Sequence, residues 1–202
     1  MDVNSKLIDF VSISPGYPFR ARIPDIPDGG VRVVQMGDVT SRMEVDWDRV
    51  VVTELPGRRE PDWLQEGDIL FAAKGNRNYA LALTDVPEAA VCAPNFFLVR
   101  VDSQRALPEF VVAYINEGPG AEYLQRAAEG SRIGNIRKAA LGAMPISLPP
   151  LQVQEKMIEL KQLIGEEEET LRRLITNRRQ SLYAALAQQT SRGLVEKGGQ
   201  PL

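Results

Sequence analysis

The stretch Gly130-Ser-Arg-Ile-Gly-Asn-Ile-Arg-Lys-Ala-Ala-Leu-Gly-Ala-Met-Pro-Ile-Ser-Leu-Pro-Pro-Leu-Gln-Val-Gln-Glu-Lys-Met-Ile158 decides how the chain is built. A polar, basic turn runs into a strand, a double proline and a long helix. Ser131, Arg132, Asn135, Arg137 and Lys138 place hydroxyl, amide and cationic donors at the start of a predicted short helix, where a phosphate is well received. Pro149 and Pro150 stiffen the exit from the globular part and set where the next helix starts, because proline fixes φ and lacks an N–H. The layout predicts a binding head carried on a helical rod.

Downstream, residues 151–190 form the predicted rod. Leu160, Ile164, Leu171 and Leu174 follow a 4-7-3 spacing, and Leu182 and Leu186 extend the apolar side. These four residues are the expected dimerisation seam of a coiled coil. Gly165 and the run Glu166–Glu169 interrupt the pattern, so two helices with a break fit as well as one. The glutamates read as a solvated face, or as a complement to the macrodipole at the start of a second helix. From Ser191 to the end, Gly, Lys and Gln dominate, and residues 191–202 are predicted to be a frayed tail.

Upstream, residues 1–150 read as one head. Residues 1–30 are dense in turn formers, as in Ser14-Pro-Gly-Tyr-Pro-Phe19, and are expected to be an irregular lead-in. Val31–Met36, Val50–Glu54, Ala80–Thr84 and Phe96–Val101 read as strands, and Leu64–Ala73 turns at Gly67-Asp68 into a buried one. After Leu107-Pro108 the period changes to about 3.6, with Phe110, Val111, Tyr114 and Ile115 on one helical face. Strands followed by helices predict an α+β fold: a mixed sheet with flanking helices, then the long helical segment.

Composition narrows the chemistry. The 202 residues suit one domain plus an extension, with 44% hydrophobic and 25% charged residues. There is no histidine, so no Ser-His-Asp triad, Cys-His pair or His-based metal site can be built. No pair of acids stands in a motif suited to carboxylate catalysis. The single cysteine, Cys92, excludes an intrachain disulfide, fits a reducing compartment, and reads as a small core residue. The start Met1-Asp-Val-Asn-Ser-Lys6 lacks a signal-peptide pattern, and no apolar run reaches the ~18 residues of a membrane span. The expectation is a cytoplasmic, non-catalytic protein with no cofactor or metal.

Charge argues against a simple phosphate-binding module, which would be basic. Residues 1–150 hold 16 Lys/Arg against 20 Asp/Glu, a net of −4, and the remainder holds 8 against 7. Any basic surface must therefore be local. One candidate is Lys74-Gly-Asn-Arg-Asn78. Lys74 and Arg77 can meet phosphates, Arg77 also suits guanine O6/N7, and Asn76 and Asn78 suit adenine N6/N7. Gly-Asn is equally ordinary turn chemistry, so a plain hairpin turn is the competing reading. The Gly130–Lys138 turn is the other candidate. Helix capping and surface charge compete there, but Arg132, Asn135, Arg137 and Lys138 exceed what capping requires. Gln35, Arg42 and Arg58-Arg59 are weaker candidates.

The ordered pieces Val31–Val39, Gly67-Asp-Ile-Leu-Phe71, Pro108–Ile115 and the Gly130–Ile158 block, with its Pro145-Ile-Ser-Leu-Pro-Pro-Leu-Gln-Val-Gln154, resemble the DNA specificity subunits of type I restriction-modification systems. The resemblance implies a target recognition domain at 1–150 that reads double-stranded DNA, with the Lys74–Asn78 loop beside it. It also implies that the helix docks a DNA methyltransferase (modification) subunit and, in some systems, a restriction subunit. Full-length members carry two recognition domains and two helical segments. This chain has room for one of each, which implies a half-subunit that forms a homodimer on a bipartite site. The alternative is a coiled-coil interaction adaptor that keeps the fold without reading DNA. No Asn/Asp-Pro-Pro-(Tyr/Phe) methyltransferase motif and no acid-x-Lys nuclease core is found.

Overall fold

The computed structural model describes residues 2–57, 60–75, 77–129 and 135–197. Among them are nine strands: β1 (Asp2–Lys6), β2 (Val11–Pro15), β3 (Val31–Val34), β4 (Val51–Thr53), β5 (Ile69–Ala72), β6 (Ala80–Ala82), β7 (Ala90–Cys92), β8 (Phe96–Val101) and β9 (Pro145–Leu148). Four α-helices accompany them: α1 (Pro108–Asn116), α2 (Gly118–Glu129), α3 (Lys138–Gly142) and α4 (Leu151–Lys197). The chain divides into two compact units, residues 1–158 and 159–202.

The first unit is centred on an antiparallel sheet in the order β2-β8-β5-β6. Strand β5 is buried along its whole length, which is why its sequence is an unbroken apolar run rather than an alternation. Its side chains part by pleat. Ile69 and Phe71 join Val99 and Ile13 on the face covered by Phe110, Val111 and Leu141 of the helices. Leu70 and Ala72 join Phe96 and Leu98 on the opposite face, against Val34 and Cys92 of a second sheet. That sheet has the order β4-β3-β7, with β3 antiparallel to β4 and parallel to β7. The first unit is thus an α+β fold with mixed sheets, as expected.

Two departures lie in its strands. The first 15 residues hold β1, a 3-10 turn at Leu7–Asp9 and β2, where an irregular lead-in was expected. In β2 the alternation spans only Val11, Ser12 and Ile13, buried, exposed and buried, before the proline-rich segment begins. Strand β7 has three residues and is held by parallel pairing to β3, Arg32 to Ala90 through Val34 to Cys92. A three-residue strand leaves no period to read.

Polar anchors fix the connections. Three aspartates use the same device, each accepting the backbone N–H three residues earlier: Asp9 from Lys6, Asp38 from Gln35 and Asp68 from Gln65. Asp68 is buried and also receives Arg100 in a bidentate pair, Nε to Oδ1 at 2.8 Å and Nη2 to Oδ2 at 3.0 Å. Arg100 Nη2 donates to the Trp63 carbonyl as well. The aspartate of the Gly67-Asp-Ile-Leu-Phe motif is therefore a structural post that ties the approach to β5 onto β8.

The glutamine that closes the Pro-Pro-Leu-x-x-Gln pattern has a similar role. Gln154 is fully buried in the first turn of α4. Its Oε1 accepts the Leu107 N–H at 2.9 Å, and its Nε2 donates to the carbonyls of Arg105 (3.0 Å) and Pro149 (2.8 Å). One amide thus satisfies the residue preceding α1, the turn after β8 and the double proline. Gln154→Ala should lower unfolding free energy by about 2–3 kcal/mol, because it strands buried backbone groups as well as opening a cavity. Urea denaturation measures it, and a loss under ~0.5 kcal/mol would show that the three groups find other partners.

Helix α4 is one uninterrupted element across Gly165 and through Ser191 to Lys197. This removes the option of a break at Gly165, and the helix continues through residues 191–197. A glycine inside a helix costs about 1 kcal/mol, and the pairs Arg172–Glu168 and Arg173–Glu169 support the following turns. Leu160, Ile164, Leu171 and Leu174 are all exposed on it.

Candidate nucleic-acid interface

The two basic segments that stand apart in sequence meet in the fold. Ala73, the residue after β5, accepts the backbone N–H of Ile136 at 2.9 Å. Ile136 is buried in the helix-side core, while Arg137 and Lys138 on its C-terminal side are exposed and Asn135 is half-buried. Lys74 and Arg77 are exposed on the loop that leaves Ala73. Lys74, Arg77, Asn135, Arg137 and Lys138 thus share one end of the central sheet. Of the other candidates, Asn76, Ser131 and Arg132 lie outside the described residues, as do Arg58 and Arg59.

The loop has a defined backbone. Gly75 has φ +128°, a conformation that side-chain-bearing residues rarely adopt, and a Cβ there would lie 2.7 Å from Met36 Cε. Met36 belongs to the 3-10 turn Met36–Asp38, so the loop leans on the segment that follows Gln35. Burial pushes the Asp38 carboxyl above its ordinary pKa, opposed by the Gln35 N–H and by Arg49. Asn78 is half-buried, and its Nδ2 donates to the Ala72 carbonyl at 2.9 Å. That amide closes the β5–β6 hairpin, which favours the turn reading at this one position.

Helix α3 has only five residues, and its N-cap is Arg137 with no side-chain cap hydrogen bond. A helix of this length carries little macrodipole, so any anion affinity here rests on the cationic side chains themselves. Beside the loop an open cleft is lined by Arg77, Asn78, Asn116, Leu124 and Gln125. Asn116 is committed to structure: its Oδ1 accepts the Ala80 N–H at 2.8 Å and its Nδ2 donates to the Ala80 carbonyl at 2.7 Å. Gln125 is exposed on α2 and was not a sequence candidate. Only the packing of α2 against the loop reveals it.

Among the described residues no three His, Cys, Asp or Glu gather as a metal-binding group. The Cys92 thiol is buried, and burial pushes its pKa up to about 12, so it stays protonated and unreactive. No described helix is long and apolar enough to cross a membrane.

Solved structures share this architecture. The HsdS subunit from Thermoanaerobacter tengcongensis is similar with a TM-score of 0.61 and 16% identity, over 84% of this chain and 39% of that one. A chain from a study of complex assembly and conformational transition in the type I R-M system is similar with a TM-score of 0.59 and 16% identity, over 84% and 40%. The fold is therefore that of an HsdS-like domain, as the sequence resemblance implies, and the chain spans about two fifths of the length of each. No protein-family model matches the chain, and no curated protein matches it in sequence.

Proposed function

We propose that this chain supplies a target recognition domain and its helix to a non-catalytic specificity subunit of a type I restriction-modification system. It reads DNA and directs a partner methyltransferase, with a restriction subunit where the system has one, to a bipartite site. The observation that carries the reading is the Ala73–Ile136 junction, which gathers the cations of two distant loops on a head whose net charge is −4. Lys74, Arg137 and Lys138 supply phosphate contacts, and Arg77 and Asn135 supply donors for base edges. A site read in the cell's DNA sets the working compartment as the cytoplasm. Two copies associate through α4, so that two heads meet the two halves of the site.

The test is methylome sequencing of cells carrying the chain with its methyltransferase. Two identical subunits present identical reading surfaces, so the wild-type motif should be two inverted copies of one short sequence around a fixed spacer. The Arg77→Ala/Arg137→Ala variant should lose methylation at most of those sites, from a weakening of roughly 1–3 kcal/mol per lost contact. Undiminished methylation by this variant would return both loops to ordinary turns. The acidic balance of the head favours a second reading, an adaptor that occupies the complex without touching DNA. An adaptor predicts a motif indifferent to both arginines.

A further inference from the structure

Helix α2 carries a polar side chain that the fold holds in place and does not itself use. Among the described residues nothing hydrogen-bonds the Gln125 amide. Its neighbour Leu124 is buried in the helix-side core, which fixes the direction in which Gln125 leaves the helix. That direction is the open cleft of about 340 Å³ whose opposite wall includes Arg77 and Asn78.

Three constraints set α2 against this wall. Asn116, at the end of α1, holds both the N–H and the carbonyl of Ala80 with one amide, so α1 is clamped to the strand that follows Arg77 and Asn78. Gly118 then turns the chain at φ +56°, and Gly120 packs so closely on α1 that a Cβ would lie 2.0 Å from the Tyr114 carbonyl oxygen. Lastly, the Tyr123 hydroxyl donates to the Ala140 carbonyl of α3 at 3.0 Å. Helix α2 is thereby tied to both segments that supply the cations. A polar group on such a doubly anchored element is preorganised for a ligand.

The chemistry of the cleft selects the ligand. Asn116 spends its amide on Ala80, and Asn78 spends its Nδ2 on Ala72, whereas Gln125 keeps both an acceptor and donors. Ala121 and Ala128, a turn away on either side, also line the cleft and leave that amide room. A neutral amide is a weak partner for phosphate, and Glu122 on the flank of α2 repels one. A carboxamide does match the adjacent N7 acceptor and N6 donor of adenine, in two parallel hydrogen bonds.

We propose that Gln125 is a specificity-determining residue of the recognition domain, reading an adenine from the cleft between α2 and Arg77. The inference rests on the DNA-reading function above and adds one base and the residue that reads it.

Methylome sequencing of the full chain with its methyltransferase decides it. Besides the methylated adenine, the wild-type motif should hold an A·T pair that Gln125→Ala makes degenerate. Discrimination against the other bases at that position should fall roughly tenfold or more, with every other position kept. Gln125 is exposed, so the variant should fold as the parent does, which circular dichroism checks. An unchanged motif in Gln125→Ala, while Arg77→Ala/Arg137→Ala loses methylation, would overturn the role of Gln125 and leave the DNA-reading function standing. A uniform fall in methylation with the same motif would overturn it too, since that marks a positioning contact rather than a base contact. Methylation indifferent to all three substitutions would overturn the DNA-reading function and this inference together.

Discussion

Arg100→Met is expected to lower the unfolding free energy by about 3–5 kcal/mol, the range for removing one partner of a buried ion pair. The loss exceeds that of a surface bridge because the two partners differ in burial. The Arg100 side chain retains 35% exposure, whereas Asp68 retains 4%. Taking away the cation therefore leaves a carboxylate that water barely reaches, with the Gln65 N–H still donating to it. Methionine keeps the length of the stem but supplies no donor. The companion Arg100→Met/Asp68→Asn should regain at least half of the loss, since the neutral amide still accepts the Gln65 N–H. Urea unfolding of the three proteins measures both steps. A loss below about 1 kcal/mol for Arg100→Met would mean that water or another donor reaches Asp68.

Leu171→Asp is expected to weaken the proposed self-association through α4 about a thousandfold, while leaving the fold of the single chain unchanged. Leu171 stands half-exposed on α4, so in one copy the new carboxylate meets solvent and costs little. In the proposed pair it is desolvated twice, once per copy. Two carboxylates at about 2 kcal/mol each give ~4 kcal/mol, which is three orders of magnitude in dissociation constant. Sedimentation across a concentration series reads the shift, and circular dichroism checks that helix content is kept. A variant as dimeric as the parent would place the contact elsewhere.

How much of this could be read beforehand depended on the length of each pattern. Ile69–Ala72 and Phe96–Val101 were legible because apolar and β-branched runs end at strong punctuators, Gly67-Asp68 before one and Pro94-Asn95 before the other. The helix-side core was legible from the 3.6 period of Phe110, Val111 and Ile115. Strands β1, β2 and β7 were not, because they are held by partners far away in sequence, and three to five residues with polar members carry little period. In the site, both basic segments could be identified by composition. Their meeting at Ala73 and Ile136 could not, since a backbone hydrogen bond across 63 positions has no side-chain signature. The motif residues Asp68 and Gln154 stood in plain view, but their work became visible only with their partners, Arg100 and Leu107. Gly165 left one helix and two equally open, and the structure has one because local propensity weighs about 1 kcal/mol against the cooperativity of 47 helical residues.

The pairing of β1 with β9, Asp2 to Leu148 and Lys6 to Pro145, sets the order of events on the ribosome. Strand β1 must wait for β9, nearly the last part of the head, before it gains a neighbour. Gln154, which pins the start of α1, arrives later still. During that interval the nascent chain carries an unpaired strand edge and an open seam beside the helices, both exposed to wrong partners. Contacts of such high sequence separation make closure slow relative to a chain of local hairpins. The head can therefore close only once the beginning of α4 has cleared the exit tunnel, and the rest of α4 emerges after it.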